Sequence, residues 1–141
     1  MKKLLIINGP NLNLTGRRRP DIYGTETMDA IVGRVRDAVA GRAVVDHFQT
    51  NSEADIIDRL HADGFGNVDG IILNAGAYTH TSLAIADAIE AITTPVVEVH
   101  MSRTAAREPI RRTSFIAPVC AGTIAGFGAD SYRLAALALL G

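Results

Sequence analysis

The chain has one cysteine, Cys120, no tryptophan and only two lysines among its 141 residues. A single thiol permits neither an intrachain disulfide nor a thiolate metal cluster, which fits a reducing compartment and makes the cytoplasm the expected location. Aromatic residues make up 5% of the chain, too few to build stacking platforms for single-stranded nucleic acid. A formal net charge of −1 gives no bulk attraction to nucleic acid or to a membrane. Long apolar runs are also missing. The apolar start Leu4-Leu5-Ile6-Ile7 stops at Asn8-Gly9-Pro10, too soon for a signal peptide, and is expected to be a strand. No G-x-x-x-x-G-K-[ST] occurs, and Gly126-Phe127-Gly128 lacks the third glycine of a dinucleotide turn, so a nucleotide is a poor candidate ligand.

What remains is 48% hydrophobic and 21% charged, the make-up of an ordinary globular chain long enough for one domain spanning residues 1–141. Short apolar runs alternate with helix-period segments. Leu4 to Ile7, Val44 to Phe48, Ile71 to Leu73, Val96 to Val99 and Gly122 to Ala125 read as strands, mostly apolar without interruption, as strands buried on both faces are. Met28, Ile31, Val32, Val35, Ala38 and Val39 follow helical spacing, as do Ile56, Ile57 and Leu60 after Ser52, where Asp55 resembles the far half of a capping box. Further helices are expected from Leu83 to Ile92 and from Asp130 to Leu140. This order predicts an α/β fold: a doubly wound, five-stranded parallel sheet with helices on both faces.

Ligands of such sheets sit beyond the carboxyl ends of the strands. Those ends are polar here: Asn8 to Asn13, Gln49-Thr50-Asn51, Asn74 to Ser82, and Glu98-Val99-His100-Met101-Ser102. Seven of the twelve arginines fall in two short stretches, Arg17 to Arg19 and Arg103, Arg107, Arg111 and Arg112. A near-neutral chain with local guanidinium clusters suits a small anion, because the planar fork matches a carboxylate or phosphate. Glu98, two residues before His100 on one strand face, can hold one ring nitrogen and leave the other to move a proton. Asn11 to Gly24 is aperiodic and long enough for a lid or binding loop. Within it, Tyr23 near Arg18 is a candidate base, since a cation beside a phenol favours its ionised form.

Other readings compete. His80, His100 and Glu98 would make a conceivable zinc set, but none of these pairs has helical i, i+4 spacing and no H-E-x-x-H occurs. Ser82 near His80 lacks the G-x-S-x-G of a hydrolase nucleophile and reads more simply as a helix cap, as does Thr81. Asp87 interrupts an otherwise apolar helix. So much apolar surface predicts packing on two sides, hence a subunit interface across which Asp87 reaches a neighbour's site. A binding or regulatory domain that holds an anionic metabolite without converting it is the rival from another class.

Several of these segments together resemble one family. Ile7 to Leu14, Gly16-Arg17-Arg18 with Pro20, Tyr23-Gly24, Leu73-Asn74-Ala75-Gly76, Thr79-His80-Thr81-Ser82, Glu98-Val99-His100, Arg107-Glu108 and Arg111 are similar, in order and spacing, to type II 3-dehydroquinate dehydratase. The resemblance implies a flavodoxin-like fold and anti elimination of water from 3-dehydroquinate through an enolate, giving 3-dehydroshikimate. It implies no metal or cofactor, and a role in the shikimate pathway and aromatic amino acid biosynthesis or in quinate breakdown. It further implies a homo-oligomer, a dodecamer built as a tetramer of trimers.

By position, the resemblance makes Tyr23 the base, activated by Arg18, and His100 the acid, oriented by Glu98. Asn11 would hold a water at the enolate oxygen. Asn74, His80, Arg111 and the backbone amides of Met101 and Ser102 would anchor the substrate. Arg107 would shape the site, and Asp87 would come from an adjacent subunit. Four positions depart from the family pattern: Arg19 for a usual glutamate, Ala54 for a common glycine, and Pro109-Ile110 for Glu-Phe. Arg19 adds a cation beside Tyr23, and Pro109 bears on where Arg107 and Arg111 are placed.

Overall fold

The computed structural model describes residues 1–141. Five strands, β1 (Lys2–Asn8), β2 (Ala43–Gln49), β3 (Gly70–Asn74), β4 (Val96–His100) and β5 (Gly122–Ala125), form one sheet in the order β2-β1-β3-β4-β5. All four pairings are parallel. The crossover helices are α2 (Met28–Ala38), α3 (Glu53–Asp63) and α4 (Leu83–Ala91), with α5 (Asp130–Leu140) last and a single turn, α1 (Pro20–Tyr23), ahead of them. No helix is long and apolar enough to cross a membrane.

Successive strand residues face opposite sides of the sheet, so each apolar run feeds two cores. On one face Leu4, Ile6, Ile72, Val97 and Val99 pack with Ile31, Val32 and Val35 of α2 and Tyr132, Ala135 and Ala136 of α5. On the other, Leu5, Ile7, Ile71, Leu73 and Val96 pack with Ile56 and Leu60 of α3 and Ile85, Ala88 and Ile89 of α4. The doubly wound α/β architecture expected from the sequence is therefore present.

Two details differ from expectation. β3 and β4 are buried along their whole length, but β2 alternates buried and exposed residues at its start and β5 is largely open. Both are edge strands, with a neighbour on one side only. Ser52 caps α3 through its Oγ, which accepts from Asp55 N at 3.2 Å, yet the reciprocal bond is absent. Asp55 instead accepts from Thr50 Oγ1 at 3.1 Å, and Ser52 N donates to that same oxygen. Aspartate is one methylene shorter than the glutamate a capping box uses. Ser82, rather than Thr81, caps α4, its Oγ accepting from Ile85 N at 3.0 Å.

Strand order fixes where the site forms. The chain leaves β1 for β2 on one side and returns past it to β3 on the other, so the β1 and β3 ends flank a reversal of winding. Asn8 and Asn74 pair in register there, and Gly9 N donates to Asn74 O at 2.8 Å. A Cβ at Gly9 would stand 2.6 Å from the Ala75 carbonyl oxygen, so the approach of the two loops requires glycine.

Candidate active site

A cavity of about 120 Å³ opens at these strand ends. Ten of the twelve residues singled out in the sequence line it: Asn11, Arg18, Tyr23, Asn74, His80, His100, Met101, Ser102, Arg107 and Arg111. Pro10, Leu12, Gly76, Ala77 and Thr104 also line it, and none of them had been given a role from the sequence. Three guanidiniums and two imidazoles face the space, and no carboxylate does.

The aperiodic segment is folded locally rather than unstructured. Leu12–Leu14 forms a 3-10 turn after Asn11, whose φ of 68° is left-handed. Pro20, with its fixed φ, starts the α1 turn that delivers Tyr23. The Tyr23 hydroxyl accepts from Arg107 Nη1 at 2.7 Å, and Arg18 lies over the ring with Cζ 4.7 Å from its centre. Arg107, expected only to shape the site, is thus the direct donor to the phenol, while Arg18 acts on the ring face. Arg19 adds less charge near Tyr23 than expected, because its guanidinium is turned onto Asp21 at 3.1 Å, outside the cavity.

The β4 end supplies the imidazole. His100 Nε2 lies 2.6 Å from Glu98 Oε2. A carboxylate only accepts, so Nε2 carries the proton and Nδ1, which makes no bond within the chain, is left for the cavity. Glu98 stands behind His100 rather than in the lining, and is 1% exposed. Its carboxylate also accepts from Ser114 Oγ at 2.8 Å and Thr123 Oγ1 at 2.7 Å. Burial alone would push the Glu98 carboxyl up. The bonds and attraction from His100, with those from Thr123 and Ser114, outweigh burial and hold it below its ordinary value. Sequence reading missed Ser114 and Thr123, although Thr123 is the register partner of Glu98 on β5 and strand order alone points to it.

His80 Nδ1 lies 2.8 Å from Thr113 O, which makes Nδ1 the donor. Its ring stacks loosely on that of His100, with centroids 6.2 Å apart. Pro109 does not displace the arginines. It occupies the first position of a 3-10 turn, Pro109–Arg112, and Glu108 before it is extended, as proline demands. Glu108 then pairs with Arg111 Nε and lies 3.8 Å from Arg107 Nε, so both guanidiniums reach the cavity. Met101 and Ser102 present backbone N–H groups that donate to nothing within the chain. Asp87 lies elsewhere, exposed on the outer face of α4 with Leu83 and Glu90, and takes no part in this cavity's lining.

The family model for class II dehydroquinases matches residues 2–140. The chain belongs to the class II dehydroquinase family. Among similar dehydroquinases, the 3-dehydroquinate dehydratase of an Exiguobacterium species is 51% identical over 138 residues, covering 98% of this chain and 94% of that one. Its counterpart from Alkalilimnicola ehrlichii is 48% identical over 141 residues, covering 99% and 93%. The crystal structure of the type II dehydroquinase from Butyrivibrio crossotus superposes with a TM-score of 0.95 at 39% identity, covering 99% and 98%. The flavodoxin-like reading of the fold is thereby secured.

The depressed Glu98 pKa has a consequence for stability. Because the folded-state value lies below the usual 4.5, the stability it contributes is present above about pH 4.5 and is lost as pH falls through the folded-state value. Replacing Glu98 by glutamine is expected to cost about 3 kcal/mol at neutral pH. The gap between the two proteins in urea titrations should narrow on acidification, and a gap independent of pH would contradict this assignment.

Proposed function

We propose that this enzyme eliminates water in the anti sense from 3-dehydroquinate, giving 3-dehydroshikimate through an enolate. One observation carries the reading: a phenol held by a guanidinium N–H and an imidazole backed by a buried carboxylate share one cationic cavity. A site that only binds an anion needs the cations but neither of those pairs. The relatives' name, 3-dehydroquinate dehydratase, supports the same substrate.

A proton beside a ketone is weakly acidic, so its removal needs an ionised base and a site that stabilises the enolate as it forms. Tyr23 is that base. The Arg107 bond and the Arg18 guanidinium over the ring stabilise the phenolate, which takes the C2 proton. Asn11 holds the water that hydrogen-bonds the enolate oxygen. Hydroxide leaves poorly without a proton, and His100 supplies one from Nδ1 while Glu98 stabilises the imidazolium through Nε2. The C1–O bond breaks as the enolate electrons form the C1–C2 double bond, and water departs. Proton return from Tyr23 to His100 through solvent resets the site. The substrate carboxylate fits the free Met101 and Ser102 amides, with Asn74, His80 and Arg111 on its hydroxyls. Side chains supply both proton transfers, so the chemistry calls on no metal or cofactor.

The role is either biosynthetic, in the shikimate pathway, or catabolic, in quinate breakdown, and the lone half-buried thiol of Cys120 fits a cytoplasmic setting. The assembly is a dodecamer, a tetramer of trimers, in which Asp87 on the outer face of α4 reaches a neighbour's site.

The product is a conjugated enone and the substrate is not, so ultraviolet absorbance of chelator-treated protein with 3-dehydroquinate reports turnover. Tyr23→Phe should lower kcat by at least about 100-fold while calorimetric binding persists. A fully active variant would sink the role of Tyr23. Wild-type protein that binds without an absorbance rise would favour the anion-binding domain instead. For the assembly, Asp87→Ala should raise KM or dissociate the oligomer seen by sedimentation, and a monomeric, fully active protein would refute it.

A further inference from the structure

Four polar side chains form a line through the sheet from its open edge to the cavity. Asn8 Nδ2 lies 2.9 Å from His47 Nε2, and Asn8 Oδ1 accepts from the Tyr132 hydroxyl at 2.7 Å. The same hydroxyl accepts from Asn74 Nδ2 at 2.9 Å, and Asn74 Oδ1 accepts from Gly76 N at 3.1 Å. Asn8, Asn74 and Tyr132 are buried, Tyr132 completely. Asn74 and Gly76 line the cavity at one end, and His47 is half-buried at the other.

The direction of every bond in this line is set from one end. A backbone N–H only donates, so Gly76 requires the oxygen of the Asn74 carboxamide and turns its nitrogen toward Tyr132. Having accepted there, the Tyr132 hydroxyl has one proton to give, and it goes to Asn8 Oδ1. Asn8 must then offer its nitrogen to His47, whose Nε2 can only be unprotonated. No step has an alternative while the others stand. Reversing one member would leave two donors, or two acceptors, facing each other in a buried space.

We propose that Tyr132 is a positioning residue for the dehydration: its hydroxyl pins the nitrogen end of the Asn74 carboxamide that Gly76 N orients and, through Asn8, demands a neutral His47 protonated at Nδ1. Tyr132 has no access to the cavity and acts only through Asn74. Two further observations agree. Burial pushes the Tyr132 phenol well up, keeping the proton it must donate. Burial also pushes the His47 imidazole down, aided by Arg36 and opposed by Asp29 on α2, which favours the neutral ring. Arg17 and Asp29 line the same surface hollow as His47, and no carboxylate hydrogen-bonds its ring.

The inference rests on the dehydratase reading for its kinetic arm alone. In Tyr132→Phe, the Asn74 carboxamide keeps only its bond from Gly76 N and its nitrogen end is no longer held, so KM for 3-dehydroquinate should rise about tenfold with kcat changed less than about threefold. A variant with a lowered melting temperature but wild-type KM and kcat would overturn the proposal, since a merely structural hydroxyl gives that result. The second arm needs no turnover and reads the wild-type protein. Nitrogen-15 spectra of histidine-labelled wild-type protein, with His47 assigned by its loss in His47→Gln, should show Nδ1 protonated and Nε2 bare at neutral pH. A His47 protonated at Nε2 would overturn the proposal. Wild-type protein without turnover would count against the dehydratase reading and leave the tautomer result standing.

Discussion

All five strands run the same way, and that constraint organises everything else in the molecule. A parallel sheet sends every carboxyl end to one rim, and a winding that reverses between β1 and β3 leaves a crevice there. The crevice is narrow because Gly9 and Ala75 touch backbone to backbone, which holds the loops after β1 and β3 together. β4 then brings Glu98 and His100 to the same rim, and the Asn11–Gly24 segment carries Tyr23 over it. The two groups proposed to move protons therefore come from different parts of the chain, one from the sheet and one from the segment above it.

Each group has a charged partner, and the two settings differ. Glu98 is buried with three donors that outweigh its burial and hold its carboxyl below the ordinary value. Tyr23 is met by guanidiniums on its hydroxyl and on its ring. Both pairs act on a cavity with no carboxylate in its lining, which suits an anionic substrate and a developing enolate alike.

The fold was legible because its signal is made of apolar runs. Five runs of three to five residues with helix-period segments between them leave few arrangements, and the two cores follow from which residues face which side. Individual site residues were legible where polar groups stood at strand ends, as with Asn74, His100 and Ser102. What stayed hidden were pairings across the chain. Arg107 and Tyr23 lie 84 residues apart, and no local pattern says that the guanidinium donates to the phenol. Tyr132 was hidden for a different reason: on an apolar helix face it reads as core, which it is, and its hydroxyl becomes informative only when Asn8 and Asn74 are seen on either side. Arg19 erred the other way, since a charge placed by sequence beside Tyr23 was taken up by Asp21 two residues on.

The central claim is that proton removal and loss of hydroxide are separate steps performed by Tyr23 and His100. The direct measurement is deuterium uptake at C2 of 3-dehydroquinate recovered from variants incubated in heavy water. The account predicts that His100→Ala exchanges the C2 proton above the uncatalysed rate while forming almost no product, and that Tyr23→Phe does neither. Exchange that persists in Tyr23→Phe, or that is absent in a His100→Ala protein still able to bind substrate, would contradict it.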